Sequence, residues 1–137
     1  MRNRRHQQGA TIVEAALIML LFFTLVFSVV ELGRVLNVYH TITNAAREGA
    51  RYSVAPFPGI AGTLPTSANV RAQVCTFLTS ASLPCTGITV NQSLVQTVNG
   101  ISTTFTQVNV STPYNWLILP LSPLTLTTQA VMRNETN

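Results

Sequence analysis

The longest apolar stretch of the chain runs from Gly9 to Val30 and is interrupted near its start by one carboxylate, Glu14. About 20 predominantly apolar residues are enough to cross a bilayer as a helix, so this stretch predicts a transmembrane segment. Beyond it, apolar residues recur three and four positions apart as far as Ala50, which is typical of one face of a helix. We therefore expect one helix over about Ala10–Ser53, with only its first half in the membrane.

The second half of this helix carries two pairs of opposite charges, Glu31 with Arg34 and Glu48 with Arg51. Charges three positions apart are neighbours on a helix surface and attract each other by only a few tenths of a kcal/mol. Both pairs indicate a solvated face. The opposite, apolar face is expected to pack on the domain that follows.

A loop rich in proline and glycine ends the helix. Residues 55–67 contain three Pro and two Gly, and this composition marks the boundary between the stalk and a head. A short second helix is expected to begin near Ser67 or Asn69 and to end before Pro84. Its apolar face would consist of Val70, Val74, Phe77 and Leu78.

The rest of the head has the alternating pattern of β-strands. Apolar and polar residues alternate over Ile88–Val98, and Asn99-Gly100 follows directly. This dipeptide suits a type I′ hairpin turn because both central residues need a positive φ. A return strand over Thr103–Ser111 and a third strand over Leu124–Met132 complete a small antiparallel sheet that covers the stalk helix. Residues 133–137 are expected to form a loose tail, and the predicted fold class is α+β.

The segment Pro113–Pro123 joins the last two strands and is strongly apolar. It holds Trp116, Leu117, Ile118, Leu119 and Leu121 between prolines. Such a segment is either a packed crossover loop or an exposed contact surface. Packing over the open end of a small core is the favoured interpretation.

Charged residues are sparse and unevenly distributed. Only 9% of the 137 residues are charged, Asp and Lys are absent, and all eight basic residues are Arg. Arg2, Arg4 and Arg5 precede the apolar stretch, where positive charge keeps a terminus on the cytoplasmic side. The other arginines are scattered, so no basic face is available for nucleic acid. The head is therefore expected to be exported.

The two cysteines, Cys75 and Cys85, would lie on the second helix and in the turn after it. An exported head meets an oxidising environment, which favours a disulfide between them. The alternative is a metal half-site or a redox pair. No third Cys is present, and His6 and His40 lie on the other side of the helix break, so a metal site is disfavoured.

Catalytic chemistry has few residues to work with. Four carboxylates are available, and the absence of Asp excludes a Ser/His/Asp set. The chain has no glycine-rich phosphate loop and no HExxH motif. We therefore predict no enzyme activity, no cofactor and no small-molecule substrate.

Two small residues, Gly9 and Ala10, precede the apolar stretch, whereas a secretory signal peptide has its cleavage site after it. A peptidase that cuts between them would leave the membrane helix in the product, with a new amine at Ala10. Glu14 then either stays hydrated at the cytoplasmic interface or pairs with the Ala10 ammonium of a neighbouring subunit. Charged side chains inside a membrane usually have such a partner.

The leader RRHQQG followed by ATIVE looks like the processing site of type IV pilin-like proteins, which are cut after Gly with Glu as the fifth residue of the mature chain. The Glu-Leu-Gly-Arg step at Glu31–Arg34 and the Asn-Ala-Ala-Arg-Glu step at Asn44–Glu48 further resemble the TadE-like family of Flp/Tad pilus pseudopilins. The resemblance covers about the first 55 residues.

This resemblance implies a minor pilin or pseudopilin that is processed by a prepilin peptidase and held in the inner membrane. It would work with other pilins and the Tad assembly machinery in pili for adhesion, biofilm formation or secretion. Ala15 follows Glu14, where Flp-type major pilins have Tyr, which argues against the major subunit.

The expected parts are a cleaved leader over residues 1–9, a transmembrane and stalk helix over 10–54, and an extracytoplasmic head over 55–137. A protein of another class would fit the same topology. This alternative is a signal-anchored extracytoplasmic module that binds a ligand, with Gly9 and Glu14 coincidental.

Overall fold

The computed structural model describes residues 4–55, 63–98, 100–118 and 121–134. Two helices are followed by three strands, which confirms the predicted α+β class. The helices are α1, Arg4–Val54, and α2, Ser67–Ser80; the strands are β1, Ile88–Val98, β2, Ile101–Tyr114, and β3, Leu124–Arg133.

Helix α1 has 51 residues and is therefore about 75 Å long at 1.5 Å per residue. Up to Val30 its described side chains are exposed, apart from the half-buried Val26. Beyond that point one face is buried, with Ile42, Ala45, Ala46 and Ala50 in the core. The three alanines allow the rest of the head to approach the helix closely. The helix begins at Arg4, upstream of the predicted start at Ala10, so it includes the expected cleavage site.

Helix α2 begins where Thr66 caps it, because the Thr66 side chain accepts a hydrogen bond from the Asn69 amide at 3.4 Å. It buries Val70, Val74 and Leu78, as predicted. Phe77 is 37% exposed, so its placement on the buried face was wrong. Gly49 of α1 permits the close packing of the two helices, since a Cβ there would collide with Val74 Cγ2.

The three strands form one antiparallel sheet in the order β1-β2-β3. Val98 pairs with Ile101 across the predicted hairpin turn, and Gly100 has a φ of +81°. Asn99 lies outside the described residues. The register of β1 and β2 shifts between Asn91 and Leu94, where the sheet has an irregularity.

Strand β2 runs along α1 towards the apolar half of the helix. Thr43 of α1 donates a hydrogen bond to Thr128 at 3.3 Å, and Thr128 pairs with Val110 of β2. Tyr114 lies four residues after Val110 on β2, and it contacts Glu31, which lies twelve residues before Thr43 on α1. The β1-β2 hairpin turn is therefore at the end of the head that is far from the apolar half of α1.

The expected loose tail is ordered at its start. Arg133 is the last residue of β3. The Asn134 amide donates to the Thr104 carbonyl at 3.0 Å, and the Thr106 hydroxyl donates to Asn134 Oδ1 at 2.9 Å. The prediction of a tail beginning at residue 133 was therefore wrong, because these bonds extend the sheet by one residue. Residues 135–137 lie outside the described part of the chain.

Candidate functional site

Glu31 joins the head to the helix at the end of the apolar stretch. It is the first residue after that stretch, yet it is only 1% exposed. Its Oε1 atom accepts hydrogen bonds from Tyr114 Oη at 2.6 Å, Arg34 Nη1 at 3.0 Å and the Leu117 amide at 3.1 Å. The prediction that Glu31 lies on a solvated face was therefore wrong. The end of β2 and the residues after it cover this carboxylate.

Aromatic contacts extend the cluster around Glu31. The Arg34 guanidinium lies 5.7 Å from the centre of the Tyr114 ring, within range of a cation–π interaction. The Tyr114 and Trp116 rings meet edge to face, with their centres 5.4 Å apart. We call Glu31, Arg34, Tyr114, Trp116 and Leu117 the joint. The joint fastens the segment after β2 to α1.

The charge states in the joint follow from its contacts. The hydrogen bond from Tyr114 is the largest cause that lowers the pKa of the Glu31 carboxyl below its ordinary value. Burial opposes this shift, while the Leu117 amide and Arg34 support it. The pKa of Tyr114 is raised, first by burial and then by its bond to Glu31. At neutral pH the joint therefore holds an ionised carboxylate and a neutral phenol.

One oxygen of Glu31 remains without a hydrogen bond. Glu31 Oε2 is buried and has no partner among the residues that the structure describes. All of the described hydrogen bonds to this carboxylate converge on Oε1 instead. The loss of Oε1 would therefore affect every one of these contacts at once.

The second charge pair behaves as expected. Arg51 donates to Glu48 through Nε at 2.9 Å and through Nη2 at 2.7 Å. Most of the Arg51 side chain is exposed, and about a third of the Glu48 side chain is. This pair lies on the solvated face that the sequence predicted.

The residues of the predicted processing site lie on the exposed half of α1. Gly9, Ala10 and Glu14 are all exposed, and a Cβ at Gly9 would have no atom within 4 Å. Cleavage and charge pairing at these residues stay predictions. Arg4 and Arg5 lie in the first turn of α1, where only the backbone is described, and Arg2 lies outside the described residues.

The expected disulfide is present between Cys75 and Cys85, with the two Cα atoms 5.0 Å apart. It ties α2 to the turn that precedes β1. The described part of the chain contains no group of three or more His, Cys, Asp or Glu side chains that could hold a metal ion.

Replacing both cysteines, as Cys75→Ala/Cys85→Ala, is expected to lower the free energy of unfolding of the head by about 3 kcal/mol, because the crosslink restricts the unfolded chain. Denaturant unfolding followed by Trp116 fluorescence measures this change. The unmodified protein in reducing agent serves as the control and should match the variant. Equal stability of the variant and the oxidised protein would contradict the prediction.

A polar groove lies between the two helices and the end of β3. Its lining residues are Asn44, Arg47, Glu48, Arg51, Gln73, Phe77 and Met132. Two of these lining residues, Glu48 and Arg51, form a salt bridge with each other. We assign no ligand to this groove.

Sequence reasoning missed the joint. Tyr114 and Leu117, which bind Glu31, lie 83 and 86 residues after it in the sequence. The available signal was a carboxylate placed directly after an apolar stretch that is long enough to span a membrane. At the end of such a stretch a charge is expected to have a partner.

Comparison with known proteins finds a family match in the N-terminal part of the chain. Residues 9–51 match the family model described as TadE-like protein, in agreement with the resemblance seen in the sequence. The match includes Glu14, Glu31 and Arg34, while the sheet lies outside it. No curated protein and no solved structure matches the chain.

Proposed function

We propose that this protein, whose residues 9–51 match the TadE-like family model, is a minor pilin or pseudopilin that takes part in assembling a Flp/Tad pilus. The family match is the observation that carries this proposal. TadE-like proteins have a role related to the Tad pilus, and the long apolar helix fits a single-pass membrane anchor.

The exposed half of α1 supports an assembly role. An 18-residue apolar part of this helix has a mean hydropathy of 2.5, and none of it is buried inside the protein. A bilayer covers such a surface before assembly, and the helices of other subunits can cover it afterwards. The head therefore does not need to change its own fold when the surroundings of α1 change.

The proposed orientation places the N-terminus in the cytoplasm and the head on the other side of the membrane. The arginines of the leader support this topology because positive residues flanking a membrane helix stay in the cytoplasm. The disulfide between Cys75 and Cys85 supports it independently, since disulfides persist in oxidising compartments.

The proposed cleavage separates Gly9 from Ala10, within the described helix. Gly lowers helix stability by about 1 kcal/mol relative to Ala, which favours local opening at this position. Ala10 and Glu14 are four residues apart, or about 6 Å along the helix axis. Neighbouring helices staggered by that distance would place the Ala10 ammonium of one subunit level with the Glu14 carboxylate of the next.

The N-terminus of the protein isolated from membranes tests the processing step. We expect intact mass and N-terminal sequencing to give a chain that starts at Ala10. Gly9→Leu is expected to keep its leader, because the peptidase requires a small residue at that position. Gly33→Leu is the matched control, since Gly33 is also a helical glycine with no atom within 4 Å of a Cβ, and this variant should still be cleaved. An unprocessed Met1 in cells that carry pili would contradict the proposal.

A further inference from the structure

We propose that the described residues of the loop between β2 and β3, 115–118 and 121–123, rest in the interfacial layer of the lipid bilayer on the side of the head. The contact would be made by Leu117, Ile118 and Leu121. This inference depends on the membrane span of the proposed function, but it does not depend on pilus assembly.

The joint fixes the position of this loop. The Leu117 amide donates to Glu31 at 3.1 Å, and Glu31 is the first residue after the apolar stretch. The backbone of the loop therefore touches α1 at the level where the membrane span ends. The loop therefore already lies beside the lipid, without any rearrangement of the head.

The surface of the loop has the chemistry of a lipid contact. Leu117, Ile118 and Leu121 are 73%, 39% and 56% exposed, and no residue in 115–123 is charged. Exposed apolar patches on soluble surfaces mark contact sites. Because Leu117 contacts Glu31, this patch lies at the same level along α1 as the exposed Val30 and Leu32. One lipid surface can therefore cover both.

Trp116 gives the loop its shape. Its indole Nε1 donates to the Ser122 carbonyl at 2.9 Å, which ties Trp116 to the far end of the loop. The ring is half-buried and packs against Tyr114. Trp and Tyr are enriched at the interface between membrane and water, where one end of the side chain is apolar and the other polar. Leu117 and Leu121, the neighbours of the two bonded residues, are therefore held together at the level of the headgroups.

This arrangement revises the prediction of a packed crossover loop. Trp116 packs on the core of the head, as predicted. Leu117, Ile118 and Leu121 are exposed instead. Leu119 lies outside the described residues.

Trp116 is the single Trp of the chain, so its fluorescence reports on the loop directly. We would reconstitute the full chain in vesicles of phosphatidylcholine and phosphatidylglycerol and confirm by flotation that it is bound. Lipids brominated on the upper acyl carbons are expected to quench Trp116 strongly. Lipids brominated near the bilayer centre and iodide in the water should quench it weakly.

A variant with Leu117→Asn, Ile118→Asn and Leu121→Asn is expected to lose quenching by the brominated lipids and to gain quenching by iodide. Val95→Asn/Ile101→Asn is the matched control, since both residues are exposed apolar residues of the distant hairpin. It should keep the quenching pattern of the unmodified protein.

Two results would overturn the proposal for a protein that floats with the vesicles. Quenching by iodide alone would place the loop in water, and protection from both quenchers would indicate contact with another protein subunit. Failure of the protein to float would contradict the membrane span itself, and the loop contact with it.

Discussion

Glu14→Ala is expected to be cleaved normally and to abolish piliation. The substitution leaves Gly9 and Ala10 in place, so the peptidase keeps its site. In the proposed assembly, however, the new ammonium at Ala10 loses the carboxylate with which it pairs in the neighbouring subunit. A cation left without its partner in a low-dielectric setting is strongly unfavourable. N-terminal sequencing and electron microscopy of pili measure the two outcomes separately.

Poor membrane insertion would not account for such a loss. An ionised side chain within a membrane helix opposes insertion, so Ala at position 14 does not hinder it. Glu14→Gln keeps the shape of the side chain and removes only its charge. It should fail in the same way as Glu14→Ala, at an equal level of protein in the membrane. Normal piliation with either variant would show that charge pairing is not the role of Glu14.

Glu31→Ala is expected to release the loop from α1 and to destabilise the head. The substitution removes the shared acceptor of Tyr114, Arg34 and the Leu117 amide. Arg34 is partly exposed and can turn to water, but Tyr114 is 4% exposed and its hydroxyl would be left buried without a partner. Thermal unfolding of the protein in nanodiscs, followed by Trp116 emission, measures the effect.

Two variants calibrate this result. Tyr114→Phe removes one hydrogen bond to a charged group, which costs about 1.5 to 3 kcal/mol, and Glu31→Ala should cost more. Glu48→Ala removes an exposed pair on the same helix and should change stability by less than about 1 kcal/mol. A Glu31→Ala variant no less stable than Glu48→Ala would show that the joint does not hold the head.

The same joint makes the head sensitive to acid. The pKa of Glu31 is lower in the folded protein than in the unfolded chain. Its contribution is therefore fully present above the ordinary pKa of a glutamate, and it is lost as the pH falls through the lowered value. Glu31→Ala should flatten this part of the pH dependence of stability.

Local signals in the sequence predicted most of the secondary structure. The i, i+4 spacing of Val70, Val74 and Leu78 located the buried face of α2, and Asn99-Gly100 located the hairpin. The disulfide followed from two cysteines in a head that the sequence predicts to be exported. The buried face of α2 and the hairpin depend on residues that are close together along the chain. The disulfide also depends on an oxidising compartment.

The features that the sequence did not predict depend on distant contacts. Glu31 and Arg34 have the spacing of a surface ion pair on a helix. Glu31 is buried because Tyr114 of β2 packs against it, and this contact is distant in sequence. The order at Asn134 likewise depends on Thr104 and Thr106 of a neighbouring strand. The exposure of Phe77 was also not predicted. The place where α2 packs on Gly49 of α1 decides which part of the apolar face of α2 is covered.

The continuity of α1 has a mechanical consequence. The helix is unbroken from the apolar stretch to the core of the head, and the joint bonds the base of the head to it at Glu31. A rotation of the apolar segment about its own axis therefore turns the head through the same angle. In an assembly, the rotational setting of α1 among its neighbours would thus decide which face of the sheet points outward.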